Sequence, residues 1–163
     1  MSRLLAGAAA GALAGAAGAT ALNATSYLDM VLRGRPPGSS PKATVDAASD
    51  KAGTDVPGER PQAENRASGA GELAGIGVGL GVGAVAGILR AFHVKIPMVL
   101  APVITGLGAM AISDSAMTAL GVTDPRSWDA KTVASDALPH LAYGTVLTVA
   151  LHLMLDPRTP HAS

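Results

Sequence analysis

Four long apolar stretches, separated by polar segments, dominate the pattern of this chain. A helix that crosses a bilayer needs about 20 mainly apolar residues, because each residue rises about 1.5 Å through a hydrocarbon core about 30 Å thick. The pattern therefore predicts an all-α integral membrane protein, a single domain in which four transmembrane helices form a bundle of two hairpins. The predicted spans cover residues of about 4–32, 71–90, 96–114 and 136–155.

The polar segments between the spans predict two short helices. In the loop of residues 33–70, Ser40 followed by Pro41 is typical of a helix start, so we expect a helix of about 41–52. A similar start signal predicts a second short helix at about 125–134. Neither segment is apolar enough to cross a membrane.

The first span also has features of a secretory signal peptide. Arg3 precedes a stretch of Ala, Gly and Leu, and the segment Ala19–Ala21 fits a small-residue cleavage site. The apolar stretch is longer than the core of a signal peptide, which has about 7–15 residues. We therefore favour a retained transmembrane helix over a cleaved signal.

Lysine and arginine are distributed unevenly between the two sides of the predicted bundle. The long-loop side, defined by residues 33–70 and the loop between the third and fourth spans, has eight of these residues. The short-turn side, defined by the turn around Arg90 and Lys95 and by both chain termini, has four. Cytoplasmic loops are enriched in Lys and Arg, which favours cytoplasmic long loops. The concentrated charge of the short turn favours the opposite orientation.

Glycines recur every fourth residue in the first two spans. In hydrocarbon the backbone hydrogen bonds hold a helix regardless of its glycines, and glycine lets a second helix approach closely. We interpret the repeat as small-residue, glycine-zipper packing between helices; pore lining or contact between copies of the chain are the alternatives. The predicted packing residues are Gly7, Gly11, Gly15, Gly71, Gly75, Gly79, Gly83 and Gly87.

Composition excludes several classes of function. Charged residues make up 15% of the chain and aromatic residues 2%, whereas a soluble domain has about 25% charged residues. The net charge is zero, so a basic nucleic-acid interface is not predicted. The absence of cysteine excludes disulfides and thiolate metal sites. Because phosphate-loop, HExxH and GxSxG motifs are absent as well, we expect neither an enzyme nor a cofactor.

Up-down connectivity brings polar residues from all four spans to the long-loop side. Ionisable groups within spans are costly and indicate functional sites. Asp136 and His140 are spaced i, i+4 and can share one helix face, where they form a proton-responsive pair. The predicted proton or cation cluster comprises Asp29, Asp114, Asp136, His140 and Tyr143, and a metal-ligand role is left open.

A structural interpretation of the same residues stands beside the functional one. Asp29 can pair with Arg33 one turn later. Glu72 and Asp136 are predicted near helix N-termini, where negative charge is favourable. Under this interpretation the polar residues are hydrated helix ends, and only Asp114 and His140 lie deep enough to need another explanation.

Four short segments read NATSYLDM at 23–30, RGRP at 33–36, LGVTDPR at 120–126 and PHLAYG at 139–144. Together with the glycine-rich second span, they resemble small polytopic membrane proteins of actinobacteria. Short His-Leu and Pro-rich pieces are distantly similar to YagU-like inner-membrane proteins. The resemblance implies a location in the bacterial plasma membrane, and it transfers no catalytic role to any residue.

Two functions remain as expectations. The first is a structural or accessory membrane protein that acts through helix contacts, either as a homo-oligomer or as a subunit of a larger membrane complex. The alternative is a small proton- or cation-coupled transporter or channel that uses the polar cluster. The lipid bilayer is the expected environment in both, and no nucleic acid is expected as a partner.

Overall fold

A computed structural model describes residues 2–94 and 96–155, and these residues form helices and turns without strands. A short helix, α2 (Ser40–Ala52), lies in the first long loop, and a single 3₁₀ turn covers Pro125–Ser127. Four further helices are long and apolar enough to cross a membrane, which confirms the predicted all-α membrane architecture. They are α1 (Arg3–Arg33), α3 (Arg60–Ala91), α4 (Ala101–Leu120) and α5 (Ala130–Leu155).

The four long helices form a bundle with α1 and α5 at its centre. α1 packs extensively against α3 and α5, whereas α4 packs mainly against α5 and has few contacts with α3. The small core lies where α1 meets α5: Ala14 is fully buried, and Tyr143 and Leu147 are each 1% exposed. The two hairpins, α1–α3 and α4–α5, are therefore joined chiefly through α1 and α5.

The outer surface of the bundle is apolar along the long helices. Large aliphatic side chains such as Leu13, Leu107 and Leu153 are exposed on α1, α4 and α5. A water-soluble protein rarely leaves a continuous apolar surface of this kind uncovered. Lipid tails are the solvent that such a surface requires.

The closest helix contact, between α1 and α3, is made by backbone rather than by side chains. A Cβ atom added at Gly7 would lie 2.7 Å from the carbonyl oxygen of Gly87, closer than Cβ atoms come in real structures. At four further glycines of the contact, Gly11, Gly15, Gly83 and Gly87, an added Cβ would overlap a carbonyl oxygen even more strongly. The facing pairs are Gly7–Gly87, Gly11–Gly83 and Gly15–Gly79.

Two of the predicted packing glycines lie elsewhere. Gly71 packs against Pro41 of α2 rather than against α1. Contrary to the prediction, Gly75 is exposed and has open space where a side chain would be. The reason is its position on α3, between the part that contacts α1, from Gly79 onwards, and the part that contacts α2.

α3 is longer than the predicted span of 71–90. It begins at Arg60, and Pro61 occupies its first turn, where the missing N–H of proline does no harm. Hydropathy detected only the apolar part of this helix, because the turns before Gly71 are polar and project beyond the apolar segment. Much of the predicted polar loop is therefore helical.

α4 is displaced relative to the predicted span of 96–114. The residues before Ala101 form a turn in which the N–H of Leu100 donates to the carbonyl of Pro97 (2.8 Å). At its other end the helix continues past Asp114 and stops at Gly121, which has a left-handed φ of 78°. The carboxyl group of Asp114 did not end the helix because it is accommodated within the bundle.

The segment predicted as one helix at 125–134 is divided in two. After the 3₁₀ turn the chain is extended at Trp128, and α5 starts at Ala130, where the carboxylate of Asp129 accepts a hydrogen bond from the N–H of Thr132 (2.7 Å). α5 therefore begins before the predicted position of 136. As a result Pro139 lies inside the helix and not in its first turn.

We expect Gly83→Ala to destabilise the bundle, because the added methyl group would overlap the carbonyl oxygen of Gly11. Overpacking of a tight contact costs about 1–3 kcal/mol. Gly81→Ala is the matched control, since nothing lies within 4 Å of the Cβ that it adds, and it should change stability by less than about 0.5 kcal/mol. Thermal unfolding in detergent, followed by circular dichroism, compares the two variants. Equal unfolding temperatures would contradict the close backbone contact between α1 and α3.

Candidate functional site

A cavity of about 650 Å³, which we call the polar cavity, opens on the long-loop side of the bundle. The end of α1, the second half of α4 and the beginning of α5 form its walls, and the loop that precedes α5 forms part of its rim. It is the place where polar side chains from separate helices meet. They include Arg35, Asp114, Trp128, Asp136 and His140.

Asp114 is the deepest charged group of the cavity. Its residue is 9% exposed, and among the charged residues of the described chain it alone is buried. Asp114 is one of the three buried residues of α4, with Gly106 and Ala109, and together they mark the side of the helix that faces the rest of the bundle. That face packs against α5, so the carboxyl group of Asp114 is directed towards the polar residues of α5.

His140 and Asp136 form a hydrogen-bonded pair one turn apart on α5. Nδ1 of His140 lies 2.8 Å from the backbone carbonyl oxygen of Asp136 and 3.3 Å from its carboxylate Oδ1. A carbonyl oxygen can only accept a hydrogen bond, so Nδ1 is the nitrogen that carries the proton. The neutral imidazole then has Nε2 as its acceptor, and its side chain is only 12% exposed.

Asp114 interacts electrostatically with both Asp136 and His140 across the α4–α5 contact. Three of the five residues in the predicted cluster are therefore neighbours.

Pro139 lies between Asp136 and His140 on α5. Because proline has no N–H, the carbonyl of Ser135 lacks its usual helical donor. Ser135 lines the same cavity.

A second small-residue contact, between α4 and α5, positions this group. A Cβ added at Gly106 would lie 2.5 Å from the carbonyl oxygen of His140, and one added at Gly144 would overlap the carbonyl oxygen of Pro102. The packing glycines predicted from the sequence lie only in the first two spans, so this contact was not predicted. The sequence does contain a signal for this contact. Both glycines lie within apolar spans, where no turn requires a glycine.

Asp29 does not line the cavity. Its carboxylate pairs with Arg33 (3.3 Å) and with Arg35, and Arg35 lines the cavity and also donates to the carbonyl of Ser26 (3.4 Å). The chain reverses at Gly34, which has a φ of 62°, and this turn brings Arg35 back against α1. The direct role predicted for Asp29 is thus replaced by an indirect one, in which it orients Arg35.

Tyr143 belongs to the core and not to the cavity. Its hydroxyl donates to the backbone carbonyl of Gly79 on α3 (2.7 Å), and its ring packs against Gly18 of α1, where an added Cβ would lie 2.7 Å from the ring. It lies three positions after His140 on α5, and therefore further into the bundle. Tyr143 therefore links three helices and is not exposed to a ligand in the cavity.

The helix-terminus explanation for two acidic residues is incorrect. Because α3 begins at Arg60 and α5 at Ala130, neither Glu72 nor Asp136 lies in a first turn. Glu72 is exposed on α3. Asp136 faces the cavity, so its placement is not explained by the charge preference of a helix N-terminus.

Metal ligation is not supported by the positions of the side chains. Within residues 2–94 and 96–155, no three His, Asp or Glu side chains are grouped in a way that could hold a metal ion. The cavity wall also includes Arg35 and Lys131, so charges of both signs line it. Proton exchange among carboxyl and imidazole groups needs no coordination shell and suits this arrangement better.

The rim of the cavity is an ordered turn around Trp128. Its indole N–H donates to the hydroxyl of Thr123 (2.9 Å), and the side chain of Asp124 accepts a hydrogen bond from the N–H of Arg126 (3.0 Å). Trp128 is the one tryptophan of the chain. It lines the cavity, so its fluorescence is a natural reporter of events there.

Comparison of the chain with protein families, with curated proteins and with solved structures found no match in any of the three. The resemblance to actinobacterial membrane proteins therefore stays a prediction. The geometry of the polar cavity and the chemistry of its side chains are the features that bear on function.

The carboxylate of Asp129, just before α5, should give a measurable pH dependence. The backbone N–H of Thr132 donates to it (2.7 Å) and holds the pKa of Asp129 below its usual value. Because the native pKa is the lower one, this interaction stabilises the fold fully above the unfolded pKa and is lost as pH falls through the native pKa. An NMR titration should show the lowered pKa, and Asp129→Asn should remove this part of the acid sensitivity. An ordinary pKa in the folded protein would refute the capping interaction.

Proposed function

We propose that this protein binds and transfers protons through the polar cavity, as a small proton-coupled transporter or channel of the bacterial plasma membrane. The observation that supports the proposal is the convergence of Asp114, Asp136 and His140 in one cavity at the end of the spans. Buried carboxyl and imidazole groups are the groups that membrane proteins use as proton relays. The structural alternative of hydrated helix ends does not explain a buried Asp114.

A proton suits the cavity better than a free metal cation. Arg35 and Lys131 line the wall together with the acidic groups, and their charge opposes the accumulation of cations. A proton instead enters a bond to a carboxyl or imidazole group, so the charge of the wall matters less. With Nδ1 of His140 committed to the carbonyl of Asp136, Nε2 is the nitrogen that gains and loses the proton.

Transfer across the membrane needs a route beyond the cavity. The core below it is closed, since Tyr143 and Leu147 are each 1% exposed. α3 and α4 contact each other far less than each contacts its own hairpin partner. We place the opening movement between them, because separating these helices leaves the glycine contacts of α1–α3 and α4–α5 intact. The proton would thus pass along the inner face of α4.

The long loops are proposed to face the cytoplasm. They carry eight of the twelve Lys and Arg residues, and such residues are retained on the cytoplasmic side. The cavity would then exchange protons with the cytoplasm. Because the chain has no cysteine, labelling of Asp55→Cys in intact cells with a membrane-impermeant maleimide tests this orientation, and labelling without permeabilisation would reverse it.

Proton transfer can be measured with purified protein in liposomes under an imposed pH gradient, with a trapped pH-sensitive dye. We expect Asp114→Asn and His140→Ala to reduce the proton flux by about tenfold or more, since general acid–base groups typically contribute factors of about 100 or more to proton transfer. Asp46→Asn is the matched control, because this half-exposed carboxylate pairs with Lys42 on α2 and does not line the cavity.

Proton binding is tested separately by the fluorescence of Trp128. A pH titration in detergent should show a transition that is lost in His140→Ala and kept in Asp46→Asn. A titration without flux would exclude transport and leave a proton-binding site. If flux and fluorescence titrations of Asp114→Asn and His140→Ala match those of the unmodified protein, the proposal is refuted.

A second candidate function, an accessory role through helix contacts, is favoured by the outer face of α3. Gly77 and Gly81 lie on this face, four residues apart, are exposed and have open space where side chains would be. The contact with α1 uses the opposite face. Two small residues at this spacing allow a further helix to approach closely, and the described helices of this chain leave the position unoccupied.

For this candidate we expect Gly77→Leu combined with Gly81→Leu to abolish association with a second copy or with a co-purifying subunit. The substitutions should leave the fold intact, since neither added Cβ meets an atom within 4 Å. Gly108→Leu, which is equally open but on α4, is the control. Cross-linking in native membranes followed by mass determination measures the association. Unchanged cross-linked species in the double variant would exclude this face as a contact.

A further inference from the structure

An apolar groove of about 180 Å³ lies between α3, α4 and α5 on the short-turn side. It exists because α3 packs on α1 and α4 packs on α5, which leaves the space between α3 and α4 only partly filled. Val85 and Ile104 stand at its edges and are more than half exposed. The groove therefore opens sideways, towards the hydrocarbon of the bilayer.

A buried hydroxyl group lines this groove. Thr148 is 6% exposed, and its Oγ1 has no hydrogen-bond partner among the described residues. Four other threonines of the long helices donate to the carbonyl one turn earlier, as Thr145 does to Leu141 (2.8 Å). For Thr148 that carbonyl belongs to Gly144, which already accepts from Thr105 at 3.4 Å. An unsatisfied buried donor is unfavourable and indicates a missing partner.

A cationic group lies at the end of the groove nearest the membrane surface. Arg90, in the last turn of α3, lines the groove, and its guanidinium lies 3.3 Å from Nδ1 of His152 on α5. Arginine between transmembrane helices near the membrane surface is a typical recognition group for anionic lipid headgroups. The sequence of the short-turn side has four basic residues against one acidic residue, Asp156, although Lys95, Asp156 and Arg158 lie outside the described residues.

The vertical order of these groups matches a phospholipid. His152 follows Thr148 by one helical turn, so the Arg90–His152 pair lies roughly 6 Å nearer the surface than Thr148. A phospholipid has its phosphate at the surface, its ester carbonyls just below and its acyl chains deeper. Within the groove these parts meet, in the same order, a guanidinium, a hydroxyl donor and the aliphatic side chains of Val82 and Leu147.

We propose that this groove is a specific site for one anionic phospholipid of the surrounding bilayer, with the phosphate at Arg90, an ester carbonyl at Thr148 and an acyl chain along α3 and α5. A free fatty acid shares the acyl chain and the negative charge. It lacks an ester carbonyl below its charged group, however, and would leave the hydroxyl of Thr148 without a partner. The site does not depend on proton transfer at the polar cavity.

Native mass spectrometry of the full chain in detergent tests the site. The probes are phosphatidylglycerol, phosphatidylcholine and oleate, all with oleoyl chains. We expect one phosphatidylglycerol to bind about tenfold more tightly than phosphatidylcholine. Both phosphates can accept a hydrogen bond from Arg90, but the choline cation of phosphatidylcholine is repelled by the guanidinium. Thr148→Val should weaken phosphatidylglycerol binding about fivefold, as loss of one neutral hydrogen bond predicts, and should not change oleate binding.

Two control variants separate the site from general lipid adhesion. Thr145→Val removes a hydroxyl that is exposed and already bonded within the same helix, and it should bind phosphatidylglycerol as the unmodified protein does. Arg126→Gln removes a positive charge from the long-loop side and should also have no effect, whereas Arg90→Gln should remove the preference for phosphatidylglycerol. Valine is no larger than threonine, so Thr148→Val should fold normally. The test therefore remains decisive even if Arg90→Gln fails to fold.

Several outcomes would overturn the proposal. Equal binding of phosphatidylglycerol and phosphatidylcholine would show that the groove does not select charge. If Thr148→Val leaves phosphatidylglycerol binding unchanged, a phospholipid ester at this position is excluded. It is likewise excluded if oleate binds as tightly as phosphatidylglycerol and Thr148→Val weakens both. A dimer that excludes added phosphatidylglycerol would instead identify a helix of a second copy as the occupant.

Discussion

The backbone contact between α1 and α3 is the interaction on which the rest of this bundle depends. Helices so rich in glycine form readily only where hydrocarbon, and not water, surrounds the peptide groups, because a backbone donor then has no alternative to its helical acceptor. Under that constraint glycine gains a packing function, since it allows Gly11 and Gly83 to meet directly. The fold thus uses close approach where a soluble protein would use large apolar side chains.

The position of α1 between α3 and α5 decides where the bundle is open. α3 and α4 each pack elsewhere and meet each other only weakly, so the space between the two hairpins is not filled along its whole length. Between α3 and α4 this space forms the apolar groove on one side of the membrane, and between α1, α4 and α5 it forms the polar cavity on the other. The chemistry of the two openings differs, because acidic and imidazole groups line the first, while aliphatic side chains with one arginine line the second.

A closed layer of core side chains separates the polar cavity from the apolar groove. Tyr143 occupies it, with its hydroxyl bonded to the backbone of α3 and its ring against α1. A single side chain thereby connects three helices at the depth where a transmembrane route would have to pass. Any opening movement must either keep the hydrogen bond between Tyr143 and Gly79 or break it. A movement between α3 and α4, which contact each other weakly, can keep it.

Hydropathy and the glycine repeat by themselves determined the membrane class, the number of long helices and most of the α1–α3 contact, because the length of a span and the need for close backbone approach act on every residue locally. The helix ends were less predictable: Arg60, Ala101 and Ala130 begin helices at capping and proline positions that polarity conceals. Only the tertiary structure decided the site. Asp29 and Tyr143 do not line the cavity, contrary to the prediction, whereas Arg35 does. The directions of these side chains depend on the turn at Gly34 and on the rotation of α5 against α4. Neither can be read from the spacing of residues along one helix.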